Sequence, residues 1–210
     1  MNKSKVFTTP IWYEHKIEFL KSLDKASNKY IKDARKKEKI DIKKNKDFGT
    51  SHHSTQLINS NEFLDFKNYV GQRSHEFLIE QGFNMNNHFL AMTEMWVQEF
   101  SKNGGGNHSA HIHWNQHVCG FYFLKCSKET SYTIFHDPRT GARATKLPML
   151  DESSSNGGED LVHFKPVPGS LVFFPGYLEH EFTVDHGKHP FRFIHFTLQA
   201  FPKQILNNEN

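Results

Sequence analysis

The chain has 210 residues, the size of one ordinary domain, with 36% hydrophobic and 14% aromatic residues, 20 of them Phe. A formal net charge of +3 does not by itself point to nucleic acid or a membrane surface, and no window approaches the roughly 18 apolar residues of a membrane span. Cys119 and Cys126 make no disulfide framework, so a reducing, cytoplasmic compartment is expected.

The opening MNKSKVFTTPIWYEHK has no apolar signal-peptide region and suggests a short strand interrupted by Pro10. From Glu14 to about Ile42 the pattern is helical, with Ile17, Phe19, Leu20, Leu23, Tyr30 and Ile31 recurring at helical spacing. Its basic end, residues 34–46, reads first as a solvated helix end and second as a lid for an acidic partner or nucleic acid. Ser60 fits an N-cap for a second helix, which Phe63, Phe66, Val70, Phe77 and Leu78 support and Gly82 closes.

Beyond this point the segments are short, rich in Phe, Tyr, Ile and Val, and divided by Gly, Pro and Asp. They are MTEMWVQEF, CGFYFLKC, SYTIFHDP, LVHFKPVPGSLVFFPG, HEFTVD and FRFIHFTLQAF, the texture of a sandwich or barrel. The loop over 140–166 is a polar surface excursion. Residues 1–85 are read as a helical support and charged segment of the same domain, and 86–210 as a β core.

Four histidines crowd NHSAHIHWNQH: His108, His111, His113 and His117. On a strand, His111 and His113 share a face with Cα atoms roughly 7 Å apart, close enough for two imidazoles to meet on one ion. The best third ligand is His180, in GSLVFFPGYLEHEF, and Arg192 follows it by twelve residues. Continued parity turns Asn115, His117, Cys119, Phe121 and Phe123 inward. His108 lies in the Gly-rich approach and His117 is a pocket or core residue. His195 falls on the face opposite Arg192 and reads as outward. Trp96 reads as core, and Asp137 and Arg139 as a turn.

The order HIHWN, GFYFL, HDPR, GSLVFFPGYLEH, FRFIHF resembles the Fe(II)- and 2-oxoglutarate-dependent oxygenases, over about residues 90–202. The likeness is narrowest to a 2-oxoglutarate oxygenase family found in bacteria and in phages of marine bacteria. This resemblance implies an α+β, mainly β fold: a double-stranded β-helix (jelly-roll, cupin-like) with N-terminal supporting helices. It implies that His111, His113 and His180 bind Fe(II) and that Arg192 pairs with the distal carboxylate of 2-oxoglutarate. Asn115 and Phe123 fall beside the cosubstrate, Phe123 where several members carry a tyrosine, and His117 beside the substrate. Ile194 stands where many relatives place Ser or Thr.

The implied activity is hydroxylation of a C–H bond of a polypeptide residue, prolyl among them, or of a small molecule, with O₂ as oxidant. No His-X-Asp or His-X-Glu occurs in the chain, and three imidazoles also suit zinc. A cupin-like three-histidine metalloenzyme that does not use 2-oxoglutarate is therefore the alternative, and a nucleic-acid-binding module through 34–46 a more distant one.

Overall fold

The computed structural model describes residues 6–38, 44, 46–150 and 158–204. Parts of the basic segment 34–46 and of the loop 140–166 lie outside the described residues. The first strand, β1 (Trp12–His15), follows Pro10, and α1 (Ile17–Lys37) follows it. Leu23, Ser27, Ile31 and Ala34 form the buried face of α1, spaced so that they stack on one side of the helix. Ile17, which the pattern assigns to the apolar stripe, is 64% exposed. After β2 (Ser51–His53), a 3-10 turn over Asn61–Phe63 leads into α2 (Leu64–Glu80). Ser60 opens this segment with extended backbone, but its hydroxyl bonds Glu62 and Tyr30 instead of capping a backbone N–H. Gly82 closes it with φ +88°.

The remaining strands are β3 (His88–Phe100), β4 (His108–His111), β5 (Val118–Lys125), β6 (Thr133–His136), β7 (Leu161–Phe164), β8 (Ser170–Pro175), β9 (His180–Phe182) and β10 (Arg192–Pro202), with the short α3 (Thr140–Ala144) after β6. They form a six-stranded sheet, β1-β8-β5-β10-β3-β2, and a four-stranded sheet, β4-β9-β6-β7. From β3 to β10 the chain crosses repeatedly between the two, and every pairing is antiparallel. This winding is the double-stranded β-helix that the sequence resemblance implies.

Two apolar layers result. One lies between α1, α2 and the large sheet, where Phe66 meets Tyr122 with ring centroids 5.0 Å apart. The other lies inside the barrel and is built of Phe100, Phe121, Phe123, Phe135, Phe174, Phe182, Phe191 and Phe193. The central strands β5 and β10 are therefore buried on both faces.

Gly120 marks a close approach within the helix-side layer. A Cβ there would meet the Phe196 ring at 2.2 Å and the Val172 carbonyl oxygen at 2.3 Å. Gly120→Ala is expected to cost about 3 kcal/mol, because backbone and a buried ring must both move. Urea unfolding checks this, and a midpoint equal to that of the wild type would contradict it.

Candidate metal centre and its surroundings

The register of the small sheet brings the first pair of imidazoles together. His111 on β4 lies directly opposite His180 on β9, and their ring centroids are 4.5 Å apart. His113 arrives differently from the expectation. The strand ends at His111, and the His113 N–H donates to the Gly176 carbonyl at 2.9 Å. The turn after β8 thus holds the turn after β4. Gly176 permits this approach, since a Cβ there would lie 2.2 Å from the Gln116 carbonyl oxygen. The His113 ring ends 5.2 Å from both His111 and His180, and one nitrogen from each of the three falls within 4.8 Å of the others.

The tautomers suit a metal. Nδ1 of His111 lies 2.7 Å from the Ser109 carbonyl and Nδ1 of His180 lies 2.9 Å from the Leu178 carbonyl. Donation from Nδ1 to those carbonyls leaves each Nε2 as a lone pair. His180 is 0% exposed and its Nε2 has no hydrogen-bond partner. A buried, unpartnered imidazole nitrogen facing two others is what a divalent cation satisfies. The residues present fit the metal.

Burial also removes competing protons. It pushes His180 down to about 3, with the Leu178 carbonyl opposing, and His108 and His113 down to about 4. His195 is driven well below its ordinary value by burial and by the neighbouring imidazoles. These folded values lie below the ordinary 6.5, so the unfolded chain takes up protons first. The metal-free protein should hold this stability above about pH 6.5 and lose it as pH falls toward the folded values, each such histidine removing up to about 2 kcal/mol at pH 5. A drop in Tm on the order of 10 °C between pH 7 and pH 5 is expected in thermal melts of the metal-free chain. A flat profile would contradict the burial of neutral imidazoles.

His195 is a correction. It faces the site, 3% exposed, with Nε2 3.3 Å from Nε2 of His113 and its ring 4.3 Å from Trp96. Arg192, on the opposite parity, turns away from the triad toward α1. Its Nε donates to Glu99 at 2.6 Å, and Nη1 donates to Ser27 and Asn28 at 2.8 and 2.7 Å. Parity separated the two residues properly, but a strand buried on both faces does not reveal which parity looks into the barrel.

The expected pairing of Arg192 with a carboxylate bound at the metal does not fit this arrangement. The β10 positions that face the barrel hold Phe193 and His195, and Phe193 packs among Phe121, Phe123 and Phe182. Phe123 is 0% exposed within that layer. Asn115 occupies an exposed turn with φ +62°, a conformation asparagine tolerates. His117 is exposed, and its Nδ1 accepts the Ala200 N–H at 3.2 Å, away from the triad.

The sequence reading missed a second layer of imidazoles. His108 sits 5.9 Å from His111 by ring centroid and bonds the Gln98 amide, and His53 stacks on it at 5.8 Å. Trp96 is only partly buried and lines this side, not the core. A histidine on the short strand β2 has no local signal for this role. The DPR turn is as expected, with Asp137 accepting the Arg139 backbone N–H at 2.9 Å and its guanidinium at 2.7 Å.

Residues 94–195, which contain the triad, match the model of a family described as "Putative 2OG-Fe(II) oxygenase". No curated protein matches the sequence. Among solved structures, AviO1 from Streptomyces viridochromogenes is similar over 91% of this chain and 90% of its own, with 11% identity and a TM-score of 0.60. A Pseudomonas putida prolyl-4-hydroxylase is similar over 91% and 93%, with 10% identity and a TM-score of 0.56. The non-heme alpha-ketoglutarate-dependent epimerase SnoN from nogalamycin biosynthesis is similar over 91% and 80%, with 12% identity and a TM-score of 0.54.

Proposed function

We propose that the protein, whose residues 94–195 match the 2OG-Fe(II) oxygenase family model, hydroxylates a C–H bond of a polypeptide residue, prolyl residues being the first to test. The family's cofactor and cosubstrates are Fe(II), 2-oxoglutarate and O₂. The observation that carries the reading is the His111–His113–His180 cluster with its buried, unpartnered Nε2. Bound there, iron supplies the redox chemistry that activates O₂.

The protein's own contribution is positional. The Ser109 and Leu178 carbonyls orient two ligands, and burial disfavours protonation of His180 and His113. Phe121 and Phe174 wall the His180 ring, with centroids 5.7 and 4.7 Å away, and keep water from that side. Trp114 beside His113 is 80% exposed and Tyr177 beside Gly176 is 52% exposed. Two exposed aromatic rings next to the ligand turns suit an extended peptide more than an enclosed small molecule. The similarity to prolyl hydroxylases, one of them in a complex with a peptide fragment, agrees with a polypeptide substrate.

The test is release of succinate from 2-oxoglutarate by iron-loaded protein with ascorbate, and its stimulation by proline-containing peptides. Stimulation by peptides supports the substrate class, and stimulation only by small molecules overturns it. Iron binding with no response to 2-oxoglutarate, either as turnover or as the visible band of an Fe(II)–keto acid chelate, would favour a three-histidine metalloenzyme independent of the keto acid. The orientation of Arg192 favours that second reading.

A further inference from the structure

A cavity of about 600 Å³ lies on the helix side of the large sheet, and six cations line it: Lys32, Arg35, Lys36, Lys102, Lys125 and Arg192. The fold concentrates them. Lys32, Arg35 and Lys36 share a face of the C-terminal half of α1, at helical spacing with Asn28 and Ile31. Lys102 follows the end of β3 and Lys125 ends β5, and the register of the sheet sets Arg192 between Glu99 and Lys125. One end of the central strands and one helix face therefore deliver their cations to the same space.

The carboxylates nearby do not balance them. Glu99 is shared by two guanidiniums, those of Arg35 and Arg192. Asp24 stands 3.4 Å from Lys125 and 3.5 Å from Arg192, and Asp33 stands 3.9 Å from Lys36. Three carboxylates face six cations. Among the described residues the amines of Lys32 and Lys102 have no ionic or hydrogen-bonding partner, and the buried Nε of Arg35 has no acceptor. An excess of positive charge beside a buried donor that lacks an acceptor is what a bound polyanion corrects.

We propose that this cavity binds a compact ligand through a diphosphate group. The excess of three positive charges matches the charge of pyrophosphate or a nucleoside diphosphate near neutral pH better than that of a single carboxylate. Lysines at the rim act as mobile point charges for phosphate oxygens. Among the described residues no aromatic side chain lines the cavity, so recognition runs through the phosphates and not through a stacked base. The site is separate from the metal centre, because Arg192 and His195 leave β10 on opposite faces. The inference does not depend on the reaction proposed above.

Isothermal titration of the full chain with pyrophosphate tests it, at low and at moderate salt. Binding that weakens with salt is expected, together with at least a tenfold loss in the double variant Lys32→Gln/Lys102→Gln, whose Tm should stay within a few degrees of the wild type. ADP should bind about as well as pyrophosphate, and His111→Ala should leave pyrophosphate binding unchanged. Absence of pyrophosphate binding, unchanged affinity in the double variant, or loss of binding in His111→Ala would overturn the site. Equal binding of citrate would overturn the phosphate assignment. Tighter binding of a single-stranded oligonucleotide would overturn the compact ligand in favour of a nucleic-acid surface.

Discussion

His180→Ala is expected to lower iron affinity by more than about 100-fold and to abolish turnover. The wild-type protein should gain thermal stability on addition of Fe(II), since a ligand that binds only the native state shifts unfolding by mass action. The variant should lose that gain. His180 is the fully buried member of the triad, its Nδ1 is fixed by the Leu178 carbonyl, and its Nε2 has no other partner. Its ring packs on Phe174 and Phe121, so the variant also leaves a small cavity and should melt somewhat lower without metal. The decisive comparison is therefore the metal-dependent shift and not the absolute Tm. A variant stabilised by Fe(II) as strongly as the wild type would remove His180 from the metal site.

Glu99→Gln should be the most destabilising conservative change near β10, at about 3–5 kcal/mol by urea unfolding. Glu99 is 2% exposed and holds the 6%-exposed Arg192 as well as Arg35. The substitution keeps the shape but removes the charge, leaving two guanidiniums in a largely desolvated setting. Metal affinity of the folded fraction should hardly change, because Glu99 and the triad belong to opposite sides of the sheet. A Glu99→Gln protein as stable as the wild type, but with a raised KM for 2-oxoglutarate, would return Arg192 to the cosubstrate. Both predictions turn on the same physical point: in a strand buried on two sides, one parity serves the chemistry and the other serves the fold.

The helices illustrate what pattern alone can carry. Phe63, Phe66, Val70, Phe77 and Leu78 are all buried, as their spacing predicts, because an amphipathic helix has only one apolar stripe to hide. The first helix was legible in place but not in orientation, since its buried face runs through Leu23, Ser27, Ile31 and Ala34 and leaves Ile17 out. Ser27 in that face accepts the Arg192 guanidinium, a partner 165 residues away that no local pattern announces. The membrane expectation has a plain counterpart: no helix among the described residues is long and apolar enough to cross one.

A strand-rich core and the His111 and His113 pair were legible in the chain alone, because strand length, aromatic content and an i, i+2 spacing are local properties, whereas the jelly-roll winding and the part of His180 came from the resemblance in motif order. That His195 faces the triad while Arg192 faces α1, and that His53 and His108 form a second layer behind it, emerged with the folded arrangement. The reason is geometric. Alternation along a strand states which residues share a face, but which face meets the metal depends on what packs against each side, and that is fixed by segments far away in the chain.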